Sequence, residues 1–123
     1  MKIFTFGYYG KSFDEFIATV KRLNAVVVDI RLVPQSRFFP EWRKGNLEKV
    51  FGDDYLHVRD LGNQGFKEKR LAIVDIERGT AIVRALERDV ILLCACKHFA
   101  HCHRKPVAEK LRAQGCEIEE LTH

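Results

Sequence analysis

The run Ala25-Val26-Val27-Val28-Asp29-Ile30 is apolar at every position but one, and nothing polar alternates with its valines. A strand with one solvated face alternates polar and apolar residues, so a strand without alternation is covered on both faces. Covering both faces takes helices above and below the sheet, carried on crossovers between parallel strands. Val90 to Ala95, VILLCA, reads the same way. These two runs commit the chain to an α/β fold with a mostly parallel sheet.

The remaining segments alternate to match. Ile3 to Phe6 reads as the first strand, stopping at Gly7 where Gly7-Tyr8-Tyr9-Gly10 forms a tight turn. Ser12-Phe13-Asp14-Glu15 has the S-x-x-E form of a capping box, and Phe13, Phe16, Ile17, Val20 and Leu23 follow at helical spacing up to a stop at Asn24. A short helix is expected within Glu41 to Phe51 and a third strand over Tyr55 to Val58. Apolar residues between Lys67 and Arg88 indicate a helix broken at Gly79-Thr80. His103 to Gln114 reads as the last helix, with Pro106 in its first turn, and Cys116 to Leu121 as the last strand. The expectation is a single three-layer, Rossmann-like domain over residues 1–123 with about five strands and right-handed crossovers, in the order 3-2-1-4-5.

No apolar run approaches the roughly twenty residues that span a bilayer, and MKIFTFGYYG lacks the form of a secretory signal. A cytoplasmic protein with no membrane partner is expected. In that reducing setting the four cysteines are free thiols, metal ligands or catalytic groups rather than a disulfide framework. The net charge of +4 favours anionic partners, small molecules or nucleic acid, without demanding them.

Chemistry concentrates in Val90 to Arg104, VILLCACKHFAHCHR, where a buried strand opens into a loop rich in cysteine and histidine and then a helix. Backbone N–H groups at such a helix start favour anions. Arg104 adds a forked donor, His103 a proton donor or acceptor, and Cys94 a thiol whose thiolate the helix start and Arg104 would favour. Asp29, near the carboxyl end of its strand, either works on a ligand, or caps the next turn or pairs with Arg31. The loop Arg31 to Arg43 interleaves arginines with aromatics, suited to phosphates and bases, or else is pinned to the core by Phe38, Phe39 and Trp42. His57 reads as a structural residue. Cys94, Cys96 and Cys102 with one of His98, His101 or His103 could ligate zinc, but without a paired C-x-x-C zinc is not favoured and no metal ligand is assigned.

A strand ending in cysteine with an arginine opening the next helix resembles the loops of rhodanese-type sulfurtransferases and cysteine phosphatases. Val28-Asp29-Ile30-Arg31 is similar to the rhodanese hydrophobic-Asp-x-Arg strand. The spacing departs from both, since Cys94 stands ten residues before Arg104 and His98 falls where a phosphatase nucleophile belongs. Over nearly its whole length the chain resembles the uncharacterised domain-of-unknown-function family 488. The matching pieces are Gly7-Tyr8 with Gly10-Lys11-Ser12, Asp29-Ile30-Arg31 with Pro34, Ser36-Arg37-Phe38 with Pro40, and Leu93-Cys94-Ala95 leading to Cys102-His103-Arg104. The resemblance implies a Rossmann-like domain and no assigned activity. Cys96 stands where the family usually has an acidic residue, and Tyr9 where a small hydroxyl residue is common.

Together these residues suggest an enzyme-like domain binding a phosphorylated ligand, a nucleotide or a nucleic-acid end at the carboxyl edge of the sheet. Gly7, Tyr8, Arg31, Ser36, Arg37, Cys102 and Arg104 form the expected binding set; Asp29 and His103 would move protons, and Cys94 would be nucleophile or structural support. Two alternatives stand beside it: a non-catalytic module binding nucleic acid or protein, and a rhodanese-like sulfur carrier.

Overall fold

The computed structural model describes residues 1–96 and 102–121. Strands β1 (Lys2–Gly7), β2 (Val26–Asp29), β3 (Tyr55–His57), β4 (Val90–Cys94) and β5 (Glu117–Glu120) alternate with helices α1 (Phe13–Leu23), α2 (Lys44–Phe51), α3 (Ile76–Ala85) and α4 (Arg104–Ala113). All four strand pairings are parallel, in the order β3-β2-β4-β1-β5. The expected α/β sheet is present, but its order corrects the expectation of 3-2-1-4-5. β4 lies between β1 and β2, and composition explains why. Its five residues, VILLC, are all buried, so it takes the centre, where both faces and both edges are covered. β5, EIEE, is largely exposed and lies at one edge.

Alternation along the strands divides the core in two. Phe4, Phe6, Tyr8, Val27, Tyr55, Ile91 and Leu93 pack with Phe16 and Val20 of α1 and Leu47 of α2. Ile3, Val26, Val28, Leu92 and Cys94 pack on the other face with Val83 of α3 and Val107 and Leu111 of α4. Burial of each such side chain contributes about 1.5–3 kcal/mol.

Local signals act where the sequence places them. Ser12 Oγ accepts from the N–H of Glu15 at 3.3 Å, and Asn24 closes α1 in the left-handed conformation. The turn after β1 is Tyr8 to Lys11, closed by Lys11 N–H donating to Tyr8 O at 2.9 Å, with Gly10 at a φ of 73°. Gly7 is not in that turn. It is the last residue of β1, in register with Cys94.

Two further expectations are corrected. Residues 69–75 are not helical, and α3 runs unbroken through Gly79 and Thr80, with Asp75 accepting from Arg78 N–H as its cap. Gly79 serves packing, because a Cβ there would lie 2.4 Å from Leu61 Cδ2. In the loop after β2 only Trp42 is an anchor, stacked on Tyr8 at 4.7 Å between ring centres; Phe38 is 77% exposed and Phe39 42%.

Candidate functional site

β4 ends at Cys94, whose side chain points to the α3 and α4 side of the sheet. α4 starts beside it, and its first residue sends a fully buried guanidinium back under the strand ends. Arg104 Nη1 donates to Cys94 Sγ at 3.1 Å and to the Cys96 carbonyl at 3.1 Å, while Nη2 donates to Glu120 Oε1 at 2.7 Å. Cys94 Sγ and Cys102 Sγ are 3.0 Å apart, and the sulfurs of Cys94, Cys96 and Cys102 all lie within 4.8 Å of one another. Cys102 also accepts from Arg104 N–H at 3.5 Å. His103 is buried, with Nε2 2.8 Å from the Ile30 carbonyl and Nδ1 3.7 Å from Cys102 Sγ.

Three thiols this close share what negative charge they hold, and the hydrogen bonds among them, with burial, decide where it rests. Burial pushes the Cys94 thiol up despite the adjacent guanidinium. Hydrogen bonds to Cys94 and Cys96 push the Cys102 thiol up as well. Cys96, half-buried, is the one lowered, by hydrogen bonds from Cys102 and Cys94 and by the charge of Arg104. Arg104 contacts the sulfur of Cys94, yet the thiolate that is favoured is on Cys96, the half-buried sulfur that the other two thiols hydrogen-bond. For Arg104 itself burial works against the charge, yet its interactions with the Cys94 sulfur and the Glu120 carboxylate outweigh it and raise its pKa.

A depressed thiol pKa means that Cys96 remains a thiolate at pH values where an ordinary thiol, near 8.5, is protonated. Carbamidomethylation of Cys96 by iodoacetamide is therefore expected to proceed at pH 6 at close to its pH 8 rate. An ordinary thiol slows about tenfold per pH unit below its pKa. Peptide mapping of timed samples measures this, and an ordinary slowing at Cys96 contradicts the assignment.

The second polar group is on the other side of the sheet. Asp29 alternates with Val27 and pairs in register with Leu93, both of which face α1 and α2. Its carboxylate takes a forked ion pair from Arg31, Nε to Oδ1 at 2.9 Å and Nη2 to Oδ2 at 2.6 Å, and a hydrogen bond from Tyr55 OH to Oδ2 at 2.6 Å. Arg31 lies over the Tyr8 ring, 5.4 Å from its centre, with Nη1 3.5 Å from the hydroxyl. Burial, then the charge of Asp29, pushes the Tyr55 phenol far above its usual range, so it stays protonated. His57 Nε2 is 2.7 Å from the Arg31 carbonyl and holds the loop, as expected of a structural histidine.

The residues singled out in the sequence thus reach one edge of the sheet but two faces. Cys94, Cys102, His103 and Arg104 come together, with Gly7 alongside. Asp29, Arg31 and Tyr8 form a separate group, and the two buried arginines already hold carboxylates. Ser36 Oγ accepts from Phe39 N–H within its own loop. Arg37 is exposed, 5.4 Å from the Phe38 ring centre. The segment 97–101, with His98 and His101, lies outside the described residues. Two participants escape a sequence reading: Glu120, one of three acidic residues in an edge strand, and Tyr55, which reads only as a strand-opening aromatic.

The three sulfurs could hold a soft metal, but among the described residues no fourth ligand completes the cluster, and a guanidinium occupies one side of Cys94. A cavity of about 530 Å³ lined by Leu23, Asn24, Arg88 and Asp89 lies at the amino ends of the strands, the edge away from the thiols. No helix among the described residues is long and apolar enough to cross a membrane.

No curated protein and no solved structure matches the chain. One family pattern does, described as domain of unknown function DUF488, over residues 12–81. The matched stretch takes in Asp29, Arg31, Ser36 and Arg37 and stops short of β4 and the thiols. Since it covers more than half of the 123 residues, the chain belongs to the DUF488 family.

Proposed function

We propose that this domain is an enzyme-like sulfur carrier that takes a sulfur atom from a small anionic donor onto Cys96. The observation that carries the reading is the cluster of three thiols under one guanidinium, in which Cys96 alone is not fully buried and alone has its thiolate favoured. A thiolate, not a thiol, attacks sulfur. The Cys96 thiolate bonds to the outer sulfur of a donor such as thiosulfate, the donor's S–S bond breaks, and sulfite leaves with the electron pair. A persulfide remains on Cys96. The net charge of +4 favours an anionic donor. Binding of a phosphate by Arg31 and Arg104 together is less well supported, since each already partners a carboxylate and they serve opposite faces.

The test is intact mass before and after incubation with thiosulfate, beside Cys96→Ser. Sulfur uptake, seen as a persulfide or as hydrosulfide released, is expected in the parent and absent in Cys96→Ser. A parent protein that takes up no sulfur overturns the reading. The exposed Arg37 and Phe38 pair suits a nucleic-acid module, through a phosphate contact and a stacked base. Salt-dependent oligonucleotide binding lost in Arg37→Ala, without sulfur uptake, would favour that module instead.

A further inference from the structure

We propose that Cys102 is a resolving thiol, activated by His103, that attacks the Cys96 persulfide, releases hydrosulfide and closes a Cys96–Cys102 disulfide. The inference rests on the sulfur-carrier reading and goes beyond it, because a carrier needs only one cysteine.

The geometry distinguishes the two remaining thiols. Cys94 contacts Arg104, a donor with no acceptor, which takes no proton from it. Cys102 contacts a histidine ring nitrogen. The state of that nitrogen follows from the other side of the ring. The Ile30 carbonyl can only accept, so His103 Nε2, 2.8 Å away, carries the proton. In the neutral ring Nδ1 is then bare, and it faces Cys102 Sγ at 3.7 Å as the acceptor for the Cys102 proton once Cys96 carries the outer sulfur and no longer needs that hydrogen bond. A nucleophile, its base and a third group that orients the base are the parts of an activated thiol. The Arg104 N–H at the start of α4 adds a donor to the same sulfur at 3.5 Å.

The atoms and electrons balance within the site. The Cys102 thiol gives its proton to His103 Nδ1, and the resulting thiolate bonds to Cys96 Sγ. The persulfide S–S bond breaks, and the outer sulfur leaves with the bonding pair and that proton as hydrosulfide. The two cysteine sulfurs lose two electrons and the transferred sulfur gains them. A dithiol reductant returns the disulfide to two thiols for the next turn.

The experiment treats the full chain with thiosulfate, then measures hydrosulfide and intact mass, for the parent and for Cys102→Ser. The parent is expected to release about one hydrosulfide per chain and become lighter by two hydrogens, with the new bond mapped between the Cys96 and Cys102 peptides. Cys102→Ser is expected to become heavier by one sulfur and release none. If the parent keeps its persulfide and releases no hydrosulfide, the resolving role is overturned while the carrier reading stands. If neither protein takes up sulfur, both fall. A parent disulfide mapped to Cys94 also overturns the assignment, and this arm needs no variant to fold. His103→Gln is expected to slow hydrosulfide release about a hundredfold, the usual scale for losing a general base, and an unchanged rate removes His103 from the step.

Discussion

Asp29→Ala is expected to destabilise the domain by about 3–5 kcal/mol, the usual cost of removing one partner from a buried ion pair. Arg31 is 6% exposed, and both ends of its fork contact this one carboxylate. Without it a guanidinium is left in the apolar layer under α1 and α2, and Tyr55 loses the acceptor for a buried hydroxyl. For a domain with about 5–15 kcal/mol in total, that is a large share. Urea denaturation measures it. The double variant Asp29→Leu with Arg31→Met is expected to recover much of the loss, because a well-packed apolar pair needs no compensation for desolvated charge. A single-variant loss below about 1 kcal/mol would mean that Arg31 finds water or another partner at little cost.

Gly7→Ala is the second large effect, expected to cost about 3 kcal/mol or more, at or beyond the top of the usual overpacking range. A Cβ on Gly7 would lie 1.7 Å from the Cys96 carbonyl oxygen and 2.6 Å from Arg104 Nη1. Neither neighbour moves cheaply, the first being backbone and the second held by Glu120 and Cys94. Gly10→Ala provides the comparison. That position has a positive φ but open space around it, so about 1–2 kcal/mol of backbone strain is expected and no change at the thiols. Denaturation midpoints together with the pH 6 labelling of Cys96 separate the cases: Gly7→Ala is expected to lower both, Gly10→Ala only the first. Unchanged labelling in Gly7→Ala would show that the carbonyl and guanidinium yield without disturbing the cluster.

These two positions also show what a sequence can carry. The sheet was legible because AVVVDI and VILLC have no polar alternation, and burial on both faces admits one explanation. Strand order was not, since hydrophobicity marks β2 and β4 as covered on both faces without saying which of them is central or which strands flank it. Gly7 stands out in the sequence for a turn it does not make. A glycine after a strand suggests a turn, but the constraint here is a carbonyl arriving from residue 96. Gly79 misleads similarly, reading as a helix break while serving contact with Leu61. Asp29, Cys94, His103 and Arg104 stand out because unusual residues lie at strand ends or in the segment after them. Their division between two faces was hidden, because it depends on side-chain parity at the last residue of each strand, where boundaries are least fixed by pattern. Glu120 had no distinguishing signal among its acidic neighbours.

The same acidic neighbours act beyond the site. β5 is an edge strand with no further strand beside it among the described residues, and Glu117, Glu119 and Glu120 are three of its four residues. A second copy adding there would bring carboxylates against carboxylates, and like charges directly opposite oppose strand pairing. Lys2, held by Glu119 at 2.9 Å, relieves that crowding only within the chain. The strand that supplies the counter-charge to Arg104 therefore also opposes growth of the sheet at its own edge.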